Sequence, residues 1–127
     1  MAAKHLSKGR RGEEIAEKTL LNQGYRIIAR NWRHRQLEVD FVAEDEGTLV
    51  FVEVKTRNEI SFGQPYEAVD RQKERLLARA ANAYIRQHRH RGEIRFDIVS
   101  VVFSEDLPGG MSLRPEIRLI KDAFWPG

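Results

Sequence analysis

The chain of 127 residues has no cysteine, only four prolines and no long hydrophobic run. Without thiols it can form no disulfide, no thiolate zinc site and no cysteine nucleophile. The longest apolar run spans residues 49–52, whereas a membrane-spanning helix needs about 20 apolar residues. Residues 1–11 are basic and lack the apolar centre of a signal peptide. We therefore predict one soluble, cytoplasmic domain over residues 1–127, with no membrane partner.

Charge of one sign is not in large excess, because the net charge is only +3, but the charges are unevenly distributed. Residues 1–35 and 71–96 each carry a net charge of +6, and residues 36–70 carry −7. An acidic segment between two basic ones suits a metal-dependent enzyme that acts on a polyanion, because carboxylates hold the cation and basic side chains hold phosphates. The alternative is an ordinary solvated surface of mixed sign.

The hydrophobic periodicity predicts an α/β domain with a mixed sheet. A strand, a long helix and a further strand in succession require a parallel crossover, whereas the preceding strand pair forms an antiparallel hairpin. The predicted elements are a helix from Ser7 to Gly24, an extended segment over Tyr25–His34, strands over Leu37–Ala43 and Thr48–Arg57, a helix from Pro65 to Arg91, and strands over Arg95–Phe103 and Glu116–Lys121.

Glu53 is the first candidate site residue, because it interrupts an otherwise apolar strand. Residues 49–54 are apolar on both faces, which is typical of a central strand covered on both sides. An unpaired ionised carboxylate there is costly, so Glu53 must be paired or bound to a cation. An ion pair with Lys55 or Arg57 is the structural alternative.

Two further carboxylates share a strand face with Glu53. If residues 45–46 form a two-residue turn, Asp40 becomes a diagonal neighbour of Glu53 and Glu38 lies directly opposite Glu53. Three carboxylates on one face repel one another unless a cation lies between them, and oxygen ligands suit Mg²⁺ or Mn²⁺. A register shift of one residue would move Asp40 to the other face.

Glu13 and Lys73 lie at the edges of the two helical stripes. If the first helix packs on the face that carries Asp40 and Glu53, Glu13 can reach the cation; otherwise it is a first-turn glutamate favoured by the helix dipole. Lys73 lies within the apolar stripe of the second helix. It can contact a phosphate or a carboxylate, or its stem can pack while the ammonium extends to solvent.

Asp40, Glu53-Val54-Lys55 and a preceding helix with Glu13 resemble the PD-(D/E)XK nuclease superfamily, which has the restriction-endonuclease-like fold. Longer stretches resemble the uncharacterised YraN-type bacterial family, which is similar to archaeal Holliday-junction resolvases. The matching stretches are Gly9, Gly12-Glu13-Glu14, Ala16, Arg30-Asn31-Trp32-Arg33, Glu38-Val39-Asp40-Phe41-Val42-Ala43, Leu49-Val50-Phe51-Val52-Glu53-Val54-Lys55-Thr56-Arg57, Phe62-Gly63, Lys73, Arg95-Phe96-Asp97 and Ala123-Phe124.

The resemblance implies a restriction-endonuclease-like α-β-β-β-α-β core, with a mixed central sheet flanked by helices and a short C-terminal strand. It implies that Asp40, Glu53 and the Val54 carbonyl ligate a divalent cation, Mg²⁺ or Mn²⁺. Glu13 would be an additional acidic contributor. Lys55 would orient the attacking water and stabilise charge on the phosphorus centre.

The expected function is therefore hydrolysis of phosphodiester bonds in DNA, more than in RNA, with branched or damaged DNA among the candidate substrates. A non-catalytic nucleic-acid-binding module of the same fold and a protein-interaction subunit are the alternatives. The resolvase-like relatives imply a homodimer. Leu37 departs from the family, which usually has glycine there, and it could narrow the approach of a nucleic-acid backbone. The candidate phosphate contacts are Lys8, Arg10, Arg33, Arg57 and Lys73.

Overall fold

The computed structural model describes residues 8–58, 71–103, 106–107, 111–112 and 114–125. The predicted helix starts at Ser7 and Pro65 lie outside these ranges. The elements are α1 (Lys8–Asn22), β1 (Arg26–His34), β2 (Leu37–Asp45), β3 (Thr48–Asn58), α2 (Arg71–His88), β4 (Ile94–Phe103), β5 (Asp106–Leu107), β6 (Met111–Ser112) and β7 (Glu116–Ile120).

Five strands form one mixed sheet in the order β1-β2-β3-β4-β7. β1, β2 and β3 are antiparallel neighbours, β4 is parallel to β3, and β7 is antiparallel to β4. The predicted α/β class, the hairpin extended by a parallel strand and the C-terminal strand are therefore confirmed. β5 and β6 pair separately as a small two-stranded sheet that the periodicity did not predict.

The two helices cover opposite faces of the sheet. α1 buries Ala16 and Leu20 against the face that carries Val50 and Val52, and α2 packs on the face that carries Phe51. The strand predicted to be covered on both sides is indeed central. α1 ends as predicted before Gly24, whose φ of +91° is left-handed. Within the described residues, no helix is both long and apolar enough to span a membrane.

The hairpin register differs by two residues from the prediction. Asp45 pairs with Thr48, so the two-residue turn consists of Glu46 and Gly47 rather than Asp45 and Glu46. Both turn residues have positive φ, 51° and 89°, which is the type I′ conformation that matches strand twist. A shift of two residues preserves the faces, so the error does not move Asp40 away from the side of Glu53.

β2 leaves β3 before either strand ends. The β2–β3 pairing stops at Phe41 and Val52, whereas β2 remains paired to β1 as far as Leu37, opposite His34. Residues 37–40 of β2 therefore lie beyond the ladder with β3. The resulting fork opens next to the second half of β3.

A buried ionic network connects β4 to Tyr25, to the end of β2 and to the residues that follow β7. Asp97 is fully buried and accepts hydrogen bonds from the Tyr25 hydroxyl at 2.5 Å, from Arg95 Nε at 2.8 Å and from the backbone N–H of Asp122 at 2.9 Å. Arg95 also donates to Asp45 at 2.8 Å, and this hydrogen bond lowers the pKa of Asp45. Every charge in the network thus has a partner, as buried charges require.

Candidate active site

A cleft of about 250 Å³ lies at the fork between β2 and β3, on the side covered by α2. It contains three of the acidic side chains that the sequence singled out, together with Lys73. Leu37, the residue that departs from the family pattern, forms part of its wall. The lining residues are Gln36, Leu37, Glu38, Asp40, Glu53, Lys73, Leu76 and Leu77.

Asp40 lies at the point where the two strands separate. Its Oδ2 accepts a hydrogen bond of 2.8 Å from the backbone N–H of Val54 on β3. The pKa of Asp40 is raised to about 6: burial is the main cause, the negative charges of Glu13, Glu53 and Glu38 contribute to the rise, and the Val54 hydrogen bond opposes it. A positive charge at this position would relieve both the burial and the repulsion.

Glu53 is only 8% exposed and its two oxygens have different surroundings. Oε2 lies 3.4 Å from Lys55 Nζ and 3.5 Å from Lys73 Nζ. Oε1 is buried, and no group in the described part of the chain donates a hydrogen bond to it. The predicted ion pair with Lys55 therefore exists, but it satisfies one oxygen. The other is available to a cation, and a buried unsatisfied oxygen requires such an explanation.

Glu13 reaches the site by a different route from the one predicted. α1 packs on the face of β3 opposite to the cleft, so the condition set out from the sequence, that α1 covers the face of Asp40 and Glu53, is not met. Glu13 is half-buried and lies beyond the first turn of α1, so it is not the first-turn glutamate of the alternative interpretation. It is close enough for its charge to raise the pKa of Asp40. The open fork makes this possible, because Asp40 can be approached from both sides of the sheet.

The approach of α1 depends on Gly12, a residue whose role the sequence analysis missed. A β-carbon at Gly12 would overlap with Thr56 Oγ1 on β3 and would lie 3.3 Å from Thr56 Cβ. The absence of a side chain at Gly12 thus lets α1 approach Thr56 of β3 closely, next to Glu13. A glycine within a helix costs about 1 kcal/mol relative to alanine, which is a signal that a packing reason exists.

The residues present fit a divalent cation, although not as the three-carboxylate cluster expected. Within residues 8–58, 71–103 and 114–125, no three acidic or histidine side chains converge as a preformed metal-binding group. Glu38 instead lies 3.7 Å from Arg33 on β1. Asp40 and Glu53 remain as a pair beside Val54, and Mg²⁺ in proteins is commonly held by one or two carboxylates and retains several waters.

The five candidate phosphate contacts are dispersed. Lys73 lines the cleft, as noted, with 62% of its side chain exposed. Lys8 begins α1 and Arg10 is exposed in its first turn. Arg33 is exposed on β1, and Arg57 is half-buried near the end of β3. Of the five, Lys73 therefore lines the cleft and Arg33 contacts its residue Glu38, whereas Lys8 and Arg10 belong to α1 and Arg57 to β3.

A second cleft of about 240 Å³ adjoins the first, and Leu37 lines both. It lies between α2 and the turn that joins β1 to β2. The sequence analysis did not predict it, although arginines at helical spacing in α2 were a visible signal. Its lining residues are His34, Arg35, Leu37, Arg79, Asn82, Ala83 and Arg86.

Comparison with known proteins gives a consistent family and no activity. Residues 12–101 match the uncharacterised protein family UPF0102. A UPF0102 protein of Prosthecochloris aestuarii is 43% identical over 118 residues, which cover 92% of each chain. One from Porphyromonas gingivalis is 48% identical over 104 residues, covering 82% of this chain and 77% of the relative. One from Rhodococcus opacus is 40% identical over 123 residues, covering 96% and 99%.

Proposed function

The chain belongs to the UPF0102 family, which confirms the YraN-type resemblance, and we propose that it is a metal-dependent endonuclease that hydrolyses phosphodiester bonds of DNA. The observation that carries the proposal is Glu53 Oε1, a buried carboxylate oxygen without a donor in the described part of the chain, beside Asp40 and the Lys55 ammonium. Carboxylates that repel one another in a cleft would weaken a phosphate-binding surface, but they can hold a cation between themselves and a phosphate.

The element order supports the finer fold assignment that belongs to this proposal. α1, β1, β2, β3, α2 and β4 follow the α-β-β-β-α-β order of a restriction-endonuclease-like core. Asp40 on β2 and Glu53 with Lys55 on β3 occupy neighbouring strands, as the PD-(D/E)XK resemblance requires. Fold alone does not establish an activity, so the proposal depends on the side chains and not on this order.

Asp40, Glu53 and the Val54 carbonyl would hold the divalent cation, Mg²⁺ or Mn²⁺. When bound, such an ion supplies Lewis-acid stabilisation of a phosphate oxygen and lowers the pKa of water. Lys55 shares the strand face of Glu53 and is 13% exposed, so its ammonium is a largely desolvated charge beside the carboxylate. From there Lys55 Nζ can donate hydrogen bonds to the attacking water or to a phosphate oxygen as negative charge increases.

Lys73 has a separate role in this proposal. Its ammonium contacts Glu53 Oε2, the same oxygen that Lys55 contacts, but the Lys73 side chain is mostly exposed and belongs to α2 rather than to the sheet. It is therefore suited to contact an incoming phosphate group at the rim of the cleft. Because Lys73 is solvated, we expect it to affect substrate binding more than turnover.

Lys55→Ala is the variant that tests the proposal most directly. We expect wild-type protein to cleave at least one of a labelled panel of single-stranded, duplex and four-way DNA in Mg²⁺ or Mn²⁺. Loss of one preorganised charge contact typically lowers turnover by roughly 10²–10³, so Lys55→Ala should be slower by that factor while still binding metal and DNA. Lys18→Ala removes an exposed lysine of α1 and serves as the matched control.

Two results would contradict the proposal. If Lys55→Ala cleaves as fast as wild type, Lys55 has no role in the reaction. If wild-type protein binds DNA but cleaves neither DNA nor RNA with either cation, the non-catalytic binding module is the better description. The dimer implied by the resolvase-like relatives is a separate proposal that the solution mass of the protein tests.

A further inference from the structure

Four arginines of α2 form a single row on the solvent side of the helix. Arg71, Arg75, Arg79 and Arg86 are separated by four, four and seven residues, and all four are exposed. In a helix of 3.6 residues per turn these positions fall within about 80° of one another. The buried residues of α2, among them Ala80, lie on the other side. We call these four residues the arginine row.

The row leads into the second cleft. Arg79 and Arg86 form its helical wall, and Arg35 faces them from the β1–β2 turn. Arg35 has a φ of 58°, the left-handed conformation that the tight turn imposes. Three guanidinium groups therefore line a cleft of about 240 Å³ that contains no acidic lining residue in the described part of the chain.

The three arginines of the second cleft, Arg35, Arg79 and Arg86, differ from two arginines of β1 in having no ion pair within the described part of the chain. Arg26 pairs with Glu44 and Arg30 pairs with Glu17, whereas Arg35, Arg79 and Arg86 form no ion pair with any residue that the structure describes. Clustered guanidinium groups of one sign repel one another unless an anion lies between them. Their planar donors match phosphate oxygens well.

The turn side of the cleft is held in place by its own contacts. His34 stacks on Trp32 with the ring planes 8° apart, and Gln87 Nε2 of α2 lies 3.0 Å from His34 Nδ1. The turn is thereby attached to the helix at the residue His34, which lines the cleft. A cleft with fixed walls loses less entropy when it binds a ligand.

We propose that the arginine row and the second cleft bind the phosphodiester backbone of a nucleic-acid strand that extends from the candidate active site. This rests on the proposed function, which places the reacting phosphate in the first cleft; the second cleft is its neighbour, because Leu37 lines both. From Arg71 to Arg86 the helix rises about 22 Å. That length corresponds to about six nucleotides at 3.4 Å each along a duplex strand.

The experiment compares two double variants with the same loss of charge. Arg79→Gln/Arg86→Gln changes the second cleft, and Arg114→Gln/Arg118→Gln changes two exposed arginines at or near β7, at the opposite edge of the sheet. Binding of fluorescent single-stranded, duplex and four-way DNA is measured between 50 and 200 mM KCl in EDTA, which keeps cleavage out of the measurement. The slope of log K against log salt counts the phosphates that the protein neutralises.

We expect the cleft variant to lower the magnitude of the slope by about 1.8 on duplex DNA, or by about 1.4 on a single strand, since each lost contact contributes roughly 0.9 or 0.7. The β7 variant should leave the slope unchanged. The form of DNA whose slope falls by its full expected amount, about 1.8 for a duplex or about 1.4 for a single strand, identifies the substrate that occupies the row.

Three outcomes would overturn the inference. They are an unchanged slope in the cleft variant, an equal change in both variants, and displacement of DNA by polyglutamate as effectively as by unlabelled DNA of equal charge. The last would indicate an acidic protein partner instead. Cleavage by wild-type protein is measured separately in Mg²⁺ or Mn²⁺, so failure of the binding row and failure of the endonuclease proposal give different results.

Discussion

Replacement of Asp40 by asparagine should stabilise the metal-free protein at neutral pH. Asparagine keeps an oxygen that can accept the hydrogen bond from the Val54 N–H, and it removes the negative charge that Glu13, Glu38 and Glu53 repel. The substitution therefore separates the electrostatic cost of the site from its packing. A residue with only a structural role would give the opposite result, because loss of a native carboxylate would weaken the fold.

The magnitude follows from the pKa of Asp40, which rises from 3.8 to about 6, with burial as the main cause. The folded protein therefore binds the proton more tightly than the unfolded chain, so ionisation of Asp40 destabilises the fold as the pH rises. The loss begins near pH 4 and is complete somewhat above pH 6. About two pKa units at 1.36 kcal/mol each give about 3 kcal/mol as the full effect, and screening by salt should lower the observed value to about 1–3 kcal/mol.

The assay is urea unfolding in EDTA at pH 4 and at pH 7.5. Asp40→Asn and wild type should have similar free energies of unfolding at pH 4, and the variant should be more stable at pH 7.5. Glu116→Gln, at an exposed site on β7, is the control and should show no such pH dependence. Saturating Mn²⁺ should then reverse the order, because a ligand stabilises only the protein that binds it. If Asp40→Asn is destabilised equally at both pH values, the reasoning about repulsion at the fork is wrong.

Two further predictions concern the elements that position the site. Gly12→Ala should destabilise the protein by about 1–3 kcal/mol through overlap with Thr56. In a Thr56→Ala background the same change should be neutral or stabilising, because alanine favours the helix. A double-mutant cycle by chemical denaturation measures this coupling, and equal effects in both backgrounds would exclude the contact. Asp97→Ala should cost about 3–5 kcal/mol because it leaves Arg95 and Tyr25 without their buried partner. Tyr25→Phe should cost about 1–2 kcal/mol, and calorimetry should find Mn²⁺ affinity unchanged in Tyr25→Phe, since a shift there would place this network in the site.

The central strand and its charged interruption were predictable from the sequence because burial on both faces leaves a local signature. Residues 49–54 show no alternation of polar and apolar side chains, so the sequence predicted a strand covered on both faces. A charged residue in such a strand, Glu53, then required an explanation. The hairpin register was also accessible in principle. Glu46 and Gly47 both adopt positive φ, and glycine accommodates that conformation far better than Asp45 would.

The side of the sheet that each helix covers was not predictable in the same way. Leu49 and Phe51 on one face of β3 are as apolar as Val50 and Val52 on the other, so the pattern does not show which face receives α1. The fork was equally hidden, because it is a property of pairing between strands rather than of either strand alone. Interactions over long sequence separation, such as Tyr25 with Asp97, leave no periodicity in the sequence.

The fork explains why the site and its energetic cost occur together. Where β2 leaves β3, the Val54 N–H is bonded by the Asp40 side chain, and the same separation opens the cleft beside Glu53. Two features that weaken the fold are found there: a carboxylate with a raised pKa, and a buried oxygen to which no group in the described part of the chain donates. Asp97 is more deeply buried, yet each of its oxygens is satisfied. The contrast with Asp97 shows that this fold can satisfy a buried carboxylate fully, so the unsatisfied oxygen of Glu53 supports the proposal that a cation binds at the fork.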